Sequence, residues 1–369
     1  MMKKNFQKFK SCIPIWSAIL FFIFFVSIFV NAMIKTNRDF ANQVQRTVGA
    51  GIRAVMSTAT SWIPFSLAEM MLILSPILLF LICFFMIRRL RCSLTAGIRY
   101  FVGFVSVLSL VFTILVFGYN ASFYGESVEE KVGIEREDLS AEQLYDTAIL
   151  LIDEIRKDIS QVNYPEGTYS EMTFSYSQMN QKLNEAYQSL CERYPSIQNM
   201  YTNTKPVMLS EPWTYTHISG MYTFFTGEAN VNINYPDFIM ISSAAHEMAH
   251  QRGIGKEDEA NFIAFLVCTL SDDPYIRYAG YADALNEVMI QLSSANRELY
   301  QKAREYMPQE LKSEYTAYSV FFDKYRENVA ATVSTTVNNA YITSHNQPQG
   351  VKSYGLVVDL VAAYMLNQQ

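Results

Sequence analysis

Charge is scarce in this 369-residue chain, at 17% Asp, Glu, Lys and Arg, and so are cysteine, with five residues, and histidine, with four. Five cysteines without a Cys-x-x-Cys pair exclude a thiolate zinc ribbon, a thioredoxin-type redox motif and a disulfide-built scaffold. Cys12 and Cys83 lie in or beside apolar runs and Cys92 in a basic stretch, which leaves Cys191 and Cys268 as partners for one another. That bridge has little support, because Cys268 sits in a strongly apolar helical pattern where a free thiol packs as a small core residue. Internal repeats and low-complexity stretches are also missing, which excludes solenoid architectures.

What the chain has in quantity is apolar sequence, at 50% of all residues. Three runs, 13–33, 67–87 and 98–119, are long enough to cross a bilayer at about 20 residues each. Their only charges, Glu69 and Arg99, stand at run ends. The expected organisation is a three-span membrane anchor over residues 1–119 and a second domain over 120–369. The first run has a signal-peptide alternative, with Lys3, Lys4, Lys8 and Lys10 before it and Val30-Asn31-Ala32 near its end. Its apolar stretch exceeds the usual 7 to about 15 residues of such a leader, which favours a retained span. The amino-terminal tail and the stretch with Arg88, Arg89, Arg91 and Arg99 hold more basic residues than the loop with Lys35, Arg38, Arg46 and Arg53. The positive-inside rule then puts the amino terminus in the cytoplasm and everything after Tyr119 outside it.

Residues 1–119 hold 12 of the 29 Lys and Arg and 2 of the 35 Asp and Glu, leaving 17 against 33 afterwards, a formal charge of −16. Such a domain repels polyanions and is not a nucleic-acid binder. Nothing in the sequence sets an oligomeric state.

Two of the four histidines fall in His246-Glu247-Met248-Ala249-His250, and Glu257 follows seven residues later. In a helix, His246 and His250 stand one turn apart on one face, so both imidazoles reach one metal while Glu247 points toward a metal-activated water. A catalytic zinc takes three protein ligands and keeps one open position. Gly253 and Gly255 supply residues that tolerate the sharp turn between the motif helix and the next. Residues two apart on a helix point about 200° apart, so Glu257 and Glu259 cannot both face the metal. Glu259 shares its stripe with Phe262, Ile263, Leu266 and Leu270, a core-facing pattern, whereas Glu257 shares its own with Asn261, Ala264 and Cys268. Glu257 is therefore the expected third ligand and Glu259 the alternative. Asn261 is the candidate to hydrogen-bond the outer nitrogen of a ligand histidine.

His-Glu-x-x-His followed by Glu-x-x-Ala-Asn resembles the gluzincin zinc metallopeptidases, including the membrane-embedded prenyl-protein proteases and the ImmA/IrrE-like peptidases. More closely, the chain is similar to a bacterial family of three-span membrane proteins of unknown function placed in that zincin clan. The likeness rests on Pro64-Phe65-Ser66-Leu67-Ala68-Glu69, on Gly227-Glu228-Ala229-Asn230-Val231-Asn232, on the stretch 246–261, and on Gly350-Val351-Lys352-Ser353-Tyr354-Gly355. It implies a mainly helical α+β, zincin-like ectodomain with a small sheet, carrying Zn2+ and acting on a peptide or protein substrate beside the lipid bilayer. Asn261 stands where many gluzincins have aspartate.

Around the motif, the capping box Ser140-Ala141-Glu142-Gln143 opens a helix with Leu144, Ala148, Leu151 and Ile155 on one face. A second helix is expected over 177–193, strands over 206–209, 221–225 and 228–234, the motif helix over 236–253, and further helices over 275–293, 309–326 and 354–366. The alternation of Val231 and Ile233 against Asn230, Asn232 and Asn234 marks 228–234 as the candidate edge strand that pairs with substrate. The expected chemistry is amide hydrolysis with Glu247 as general base, and Tyr354, ahead of His217, Tyr222 and His345, as candidate oxyanion donor. Two further readings stay open: a receptor or assembly protein with a structural zinc, and a signalling protease.

Overall fold

The structure is a computed structural model that describes residues 12–165 and 169–367; the basic residues Lys3, Lys4, Lys8 and Lys10 lie outside them. Helix α1 (Ile15–Thr36) leads into α2 (Arg38–Val44), a π-helical turn (Gln45–Gly49) and α3 (Ala50–Ser61). The helices α4 (Leu67–Cys92) and α5 (Leu94–Gly118) follow, and with α1 they are, among the described residues, the three helices long and apolar enough to cross a membrane. Small residues let α1 and α5 approach closely. Ser106 Oγ donates to Ser17 Oγ at 3.1 Å, and a Cβ on Gly103 would meet the Trp16 ring at 3.1 Å. The side chains of Ser66 and Ser93 cap α4 and α5 by accepting the backbone N–H of Glu69 and Ala96.

The rest is mostly helical: α6 (Val128–Val132), α7 (Ala141–Asp158), α8 (Tyr176–Arg193), α9 (Ser210–Thr214), α10 (Asp237–Gln251), α11 (Glu257–Thr269), α12 (Pro274–Ala295), α13 (Arg297–Tyr306), α14 (Gln309–Asp323), α15 (Val329–Ser344) and α16 (Val357–Leu366). The capping box at Ser140 forms, and Leu144, Ala148, Leu151 and Ile155 of α7 are buried. Helix α10 is buried along its whole length after Asp237, enclosed by α11, α12 and the sheet, and its polar side chains His246, Glu247, His250 and Gln251 are buried with the apolar ones. Phe238 and Phe262 are fully enclosed, each stabilising the core by about 1.5–3 kcal/mol. Cys191 and Cys268 are both buried free thiols.

The sheet has three short strands, β1 (Lys205–Pro206), β2 (Gly220–Thr223) and β3 (Glu228–Val231), in the order β1-β3-β2. This corrects the expectation for 228–234: β3 is the central strand, parallel to β1 and antiparallel to β2, and every residue of it is buried. Asn230 and Asn232, which suggested an exposed face, are buried, and their side-chain amides donate inward. Asn230 Nδ2 donates to Met221 O and Thr223 Oγ1, and Asn232 Nδ2 donates to Thr214 Oγ1. The open edges belong to the outer strands β1 and β2, and β2 is the one that lines the cleft. Helices α2, α3, α13 and α15 were absent from the sequence reading; the 354–366 helix begins at Val357, after a 3-10 turn over Gly350–Leu356.

The segment joining α1 to α4 packs on the region after residue 119 rather than on the other apolar helices alone. Gln45 Nε2 donates to Gly253 O at 2.6 Å, and Ser57 Oγ to Gly227 O at 2.8 Å. Lys205 Nζ donates to Thr60 O at 2.8 Å. Glu228 accepts the N–H groups of Leu67 and Ala68, and Glu69 accepts those of Met208 and Leu209. Contacts therefore cross the boundary drawn at residue 119.

Candidate metal centre

Helix α10 presents His246 and His250 one turn apart, and their rings stand perpendicular with centroids 4.6 Å apart. The helix stops at Gln251, where Gly253 takes φ +84° and its N–H reaches back to His250 O. Any side chain at 253 would be strained by that φ, and a Cβ there would meet the Arg53 guanidinium at 2.6 Å. The tight turn brings the first residue of α11 back over the histidines. Glu257 Oε2 lies 3.2 Å from His246 Nε2 and 3.5 Å from His250 Nε2. Donors held tetrahedrally at 2.0–2.1 Å from one zinc stand about 3.3 Å apart, so this spacing suits the ion. Glu259 faces away, buried and paired with Lys256 Nζ at 2.6 Å.

The protonation pattern fits a metal donor set. His250 Nδ1 lies 2.7 Å from Ile254 O and 3.0 Å from Tyr119 Oη, so Nδ1–H donates to the carbonyl and Nε2 is turned toward Glu257. Burial disfavours charge on His250, yet the Glu257 carboxylate raises its pKa to about 9. Burial likewise pushes Glu257 up, but the His250 charge and hydrogen bonds from both imidazoles hold it far below the usual carboxylate range. Two imidazoles and a carboxylate so arranged concentrate electron pairs that a divalent cation satisfies better than a proton.

Glu247 stands beside this cluster. Burial raises its pKa while the two imidazoles and the Tyr222 backbone N–H lower it, and its Oε2 is buried without a hydrogen-bond partner among the described residues. A Cβ on Gly220 would lie 2.6 Å from Glu247 Cγ and Oε1, so β2 runs in direct contact with that side chain. Both belong to a cleft of about 720 Å³ that also contains Asn261, Tyr354 and His217.

The remaining expected residues divide. Tyr354 faces the cluster: burial, then the charge of Glu257, pushes its phenol well above the usual range, and Asn338 Nδ2 donates to its oxygen at 3.4 Å. Tyr222 is half-buried in the cleft, with its pKa pushed up to about 12 by burial of its hydroxyl. Asn261 lines the cleft, but the outer nitrogen of His250 is held by Ile254 and Tyr119 instead. His217 lies at another part of the cleft, its Nε2 2.6 Å from Tyr325 O. His345 is outside the lining, half-buried, with its Nδ1 2.8 Å from Tyr341 O. Two cleft residues were missed. Tyr119 reads in sequence as the aromatic end of an apolar run, and only the fold brings it to His250. Asp283 of α12 accepts a hydrogen bond from Ser242 Oγ; burial raises its pKa and the nearby His246 lowers it.

A family model for proteins of unknown function, DUF3810, matches residues 44–362. The chain belongs to that family. The match spans α3 through α15 and includes His246, His250 and Glu257, so the family is defined on both sides of residue 119. No curated protein and no solved structure matches the chain.

Proposed function

We propose that the chain is a membrane-anchored, zinc-dependent metallopeptidase of gluzincin type. The observation that carries this reading is the convergence of His246 Nε2, His250 Nε2 and Glu257 Oε2 within 4.8 Å of one another, with the unpartnered Glu247 Oε2 beside them. Three protein donors, none of them sulfur, are the ligand set of a catalytic rather than a structural zinc. When bound, the metal polarises a substrate carbonyl and makes water acidic enough to attack near neutral pH.

This chain's own residues then orient and move protons. The free edge of β2 aligns an extended peptide by main-chain pairing. Glu247 takes the proton of the attacking water and returns it to the leaving amine, and its burial keeps its basicity above that of an exposed carboxylate. The Tyr354 hydroxyl is the donor positioned to stabilise the developing oxyanion. With the basic stretch 88–99 and the amino terminus in the cytoplasm, the cleft faces the extracytoplasmic side. The packing of the 37–66 segment on the cleft supports a shared side for both, as three spans require.

The test is Glu247→Gln in the full chain. The amide keeps shape and metal but removes the base, so zinc content should stay at the wild-type level while peptide hydrolysis falls by about 10²- to 10⁴-fold. A zinc-loaded Gln variant with full activity, or full rescue of a deletion strain, contradicts the peptidase and leaves an assembly protein with a stapling zinc.

A further inference from the structure

Between Thr47 and Ala68 the chain contains one charged residue, Arg53, and the fold turns it inward. Its guanidinium is 3% exposed and donates to Gly118 O, Gln45 O and Gln198 Oε1. What faces outward is apolar: Val48, Val55, Trp62 and Phe65 are 50%, 68%, 79% and 40% exposed. Val48, Val55 and Trp62 are seven residues apart, two helical turns, and so share one face of the π turn and α3. The exposed residues between them, Gly51, Thr58 and Ala59, add no charge. A helix in water carries charged or polar residues on its outer face, and an uncharged apolar face of this length marks a surface that something covers.

The chain itself says what covers it. The segment leaves the carboxy-terminal end of α1 and, six residues after Ser61, enters α4, so its open face is continuous with two helices long and apolar enough to cross a membrane. Trp62 stands at that entry, where amphipathic rings concentrate at membrane interfaces. The two basic residues before the face, Arg38 and Arg46, are drawn to Glu130 and Glu126. We propose that the bilayer surface covers the outer face of the 47–65 segment, so that the metal cleft opens at the membrane onto polypeptides tethered there.

The second half of this proposal rests on the peptidase reading; its geometry is local. The cleft cannot stand off on a stalk, because Tyr119, the residue capping α5, lies 3.0 Å from His250 Nδ1. Gln45 and Ser57, on the inner side of the covered segment, hold Gly253 and Gly227. The strand β2 pairs its Thr223 end with Glu228, the residue that accepts the first two N–H groups of α4. One end of the substrate edge therefore points at the start of a span, and Phe224 and Phe225 line the cleft beyond it. A polypeptide anchored in the same membrane by a lipid or by its own span presents its first extended residues at this height, which a free peptide does not.

The experiment uses the full chain in lipid nanodiscs, with Trp16 and Trp213 replaced by Phe so that Trp62 alone emits. Acyl-brominated phosphatidylcholine should quench that emission at least twofold relative to unbrominated lipid; unchanged emission overturns the covered face. In vesicles, reporters carrying a randomised eight-residue segment are anchored by a lipid or by a span at 3, 10 or 30 residues, beside a free peptide. Cleavage abolished by Glu247→Gln should be at least tenfold faster at the shortest tether than at 30 residues or in the free peptide, and the two anchors identify which tether is used. Equal Glu247-dependent rates for all reporters overturn the tethered substrate and keep the peptidase. With Trp62 quenched, absence of any cleavage removes the peptidase reading and its substrate and keeps the membrane-covered face.

Discussion

Helix α10 and helix α3 meet around Gly253, and they are built in opposite ways. Helix α10 buries nearly all of its surface and, with the turn to Glu257 at the start of α11, contributes the donor atoms, while α3 buries Arg53 and Ser57 and leaves Val55, Gly51, Thr58 and Ala59 open. The first is a chemical element whose donors lie within twelve residues, His246 to Glu257. The second is a mounting element whose contacts reach across 170 residues, as from Ser57 to Gly227. In the proposed reading, metal chemistry needs ligands at fixed spacing, which a turn between two helices supplies locally, and position relative to a membrane needs long-range contacts, which the segment between two apolar helices supplies.

The sharpest break in this comparison removes the mounting and spares the donors. Arg53→Met leaves the carbonyls of Gln45 and Gly118 and the amide of Gln198 without their buried donor. Unmaking such bonds should cost on the order of 3 kcal/mol in stability, read by denaturant unfolding of the full chain in detergent; a loss below ~1 kcal/mol would show α3 to be a passive connector.

A milder break acts on the contact between α5 and the ligand. Tyr119→Phe keeps the ring among Phe123, Tyr222 and His250 but removes the hydroxyl from His250 Nδ1. Zinc affinity measured by chelator competition should fall by about 10-fold, the low end of what such supporting partners contribute, since the Ile254 carbonyl still holds the ring. Unchanged affinity would separate the span from the metal.

The smallest effect is expected at Glu287, in the cleft wall away from both elements. Burial and then the neighbouring Asp283 raise its pKa from 4.5 to about 7. A carboxyl raised on folding contributes stability that is present below pH 4.5 and lost as pH rises through 7. Glu287→Gln should therefore gain on wild type in melting temperature between pH 5 and pH 8. A constant difference across that window would refute the shifted titration.

How much was legible follows the same division. His246, Glu247, His250 and Glu257 could be found because helix periodicity and one glycine turn relate them, and the argument that sent Glu259 to the core used only its neighbours on α11. The three apolar helices were legible from length and hydropathy. The edge strand was misread because Asn230 and Asn232 look solvent-facing until Met221, Thr223 and Thr214 are seen to receive them. Tyr119, Arg53 and Asp283 had no local signature, since each acts on an element far away in the chain. The outer nitrogen of His250 went to Ile254 and Tyr119 rather than Asn261 for the same reason: the turn after α10 and the end of α5 reach it first.

The central claim is that the buried histidines and Glu257 hold a zinc with an open position. Zinc-edge X-ray absorption on the reconstituted full chain tests it most directly. The account predicts one zinc per chain with four nitrogen or oxygen neighbours at about 2.0–2.1 Å and no sulfur, abolished by His246→Ala and kept by Glu259→Ala. A chain that takes up no zinc, or one whose zinc shows a sulfur shell at about 2.3 Å, would contradict it.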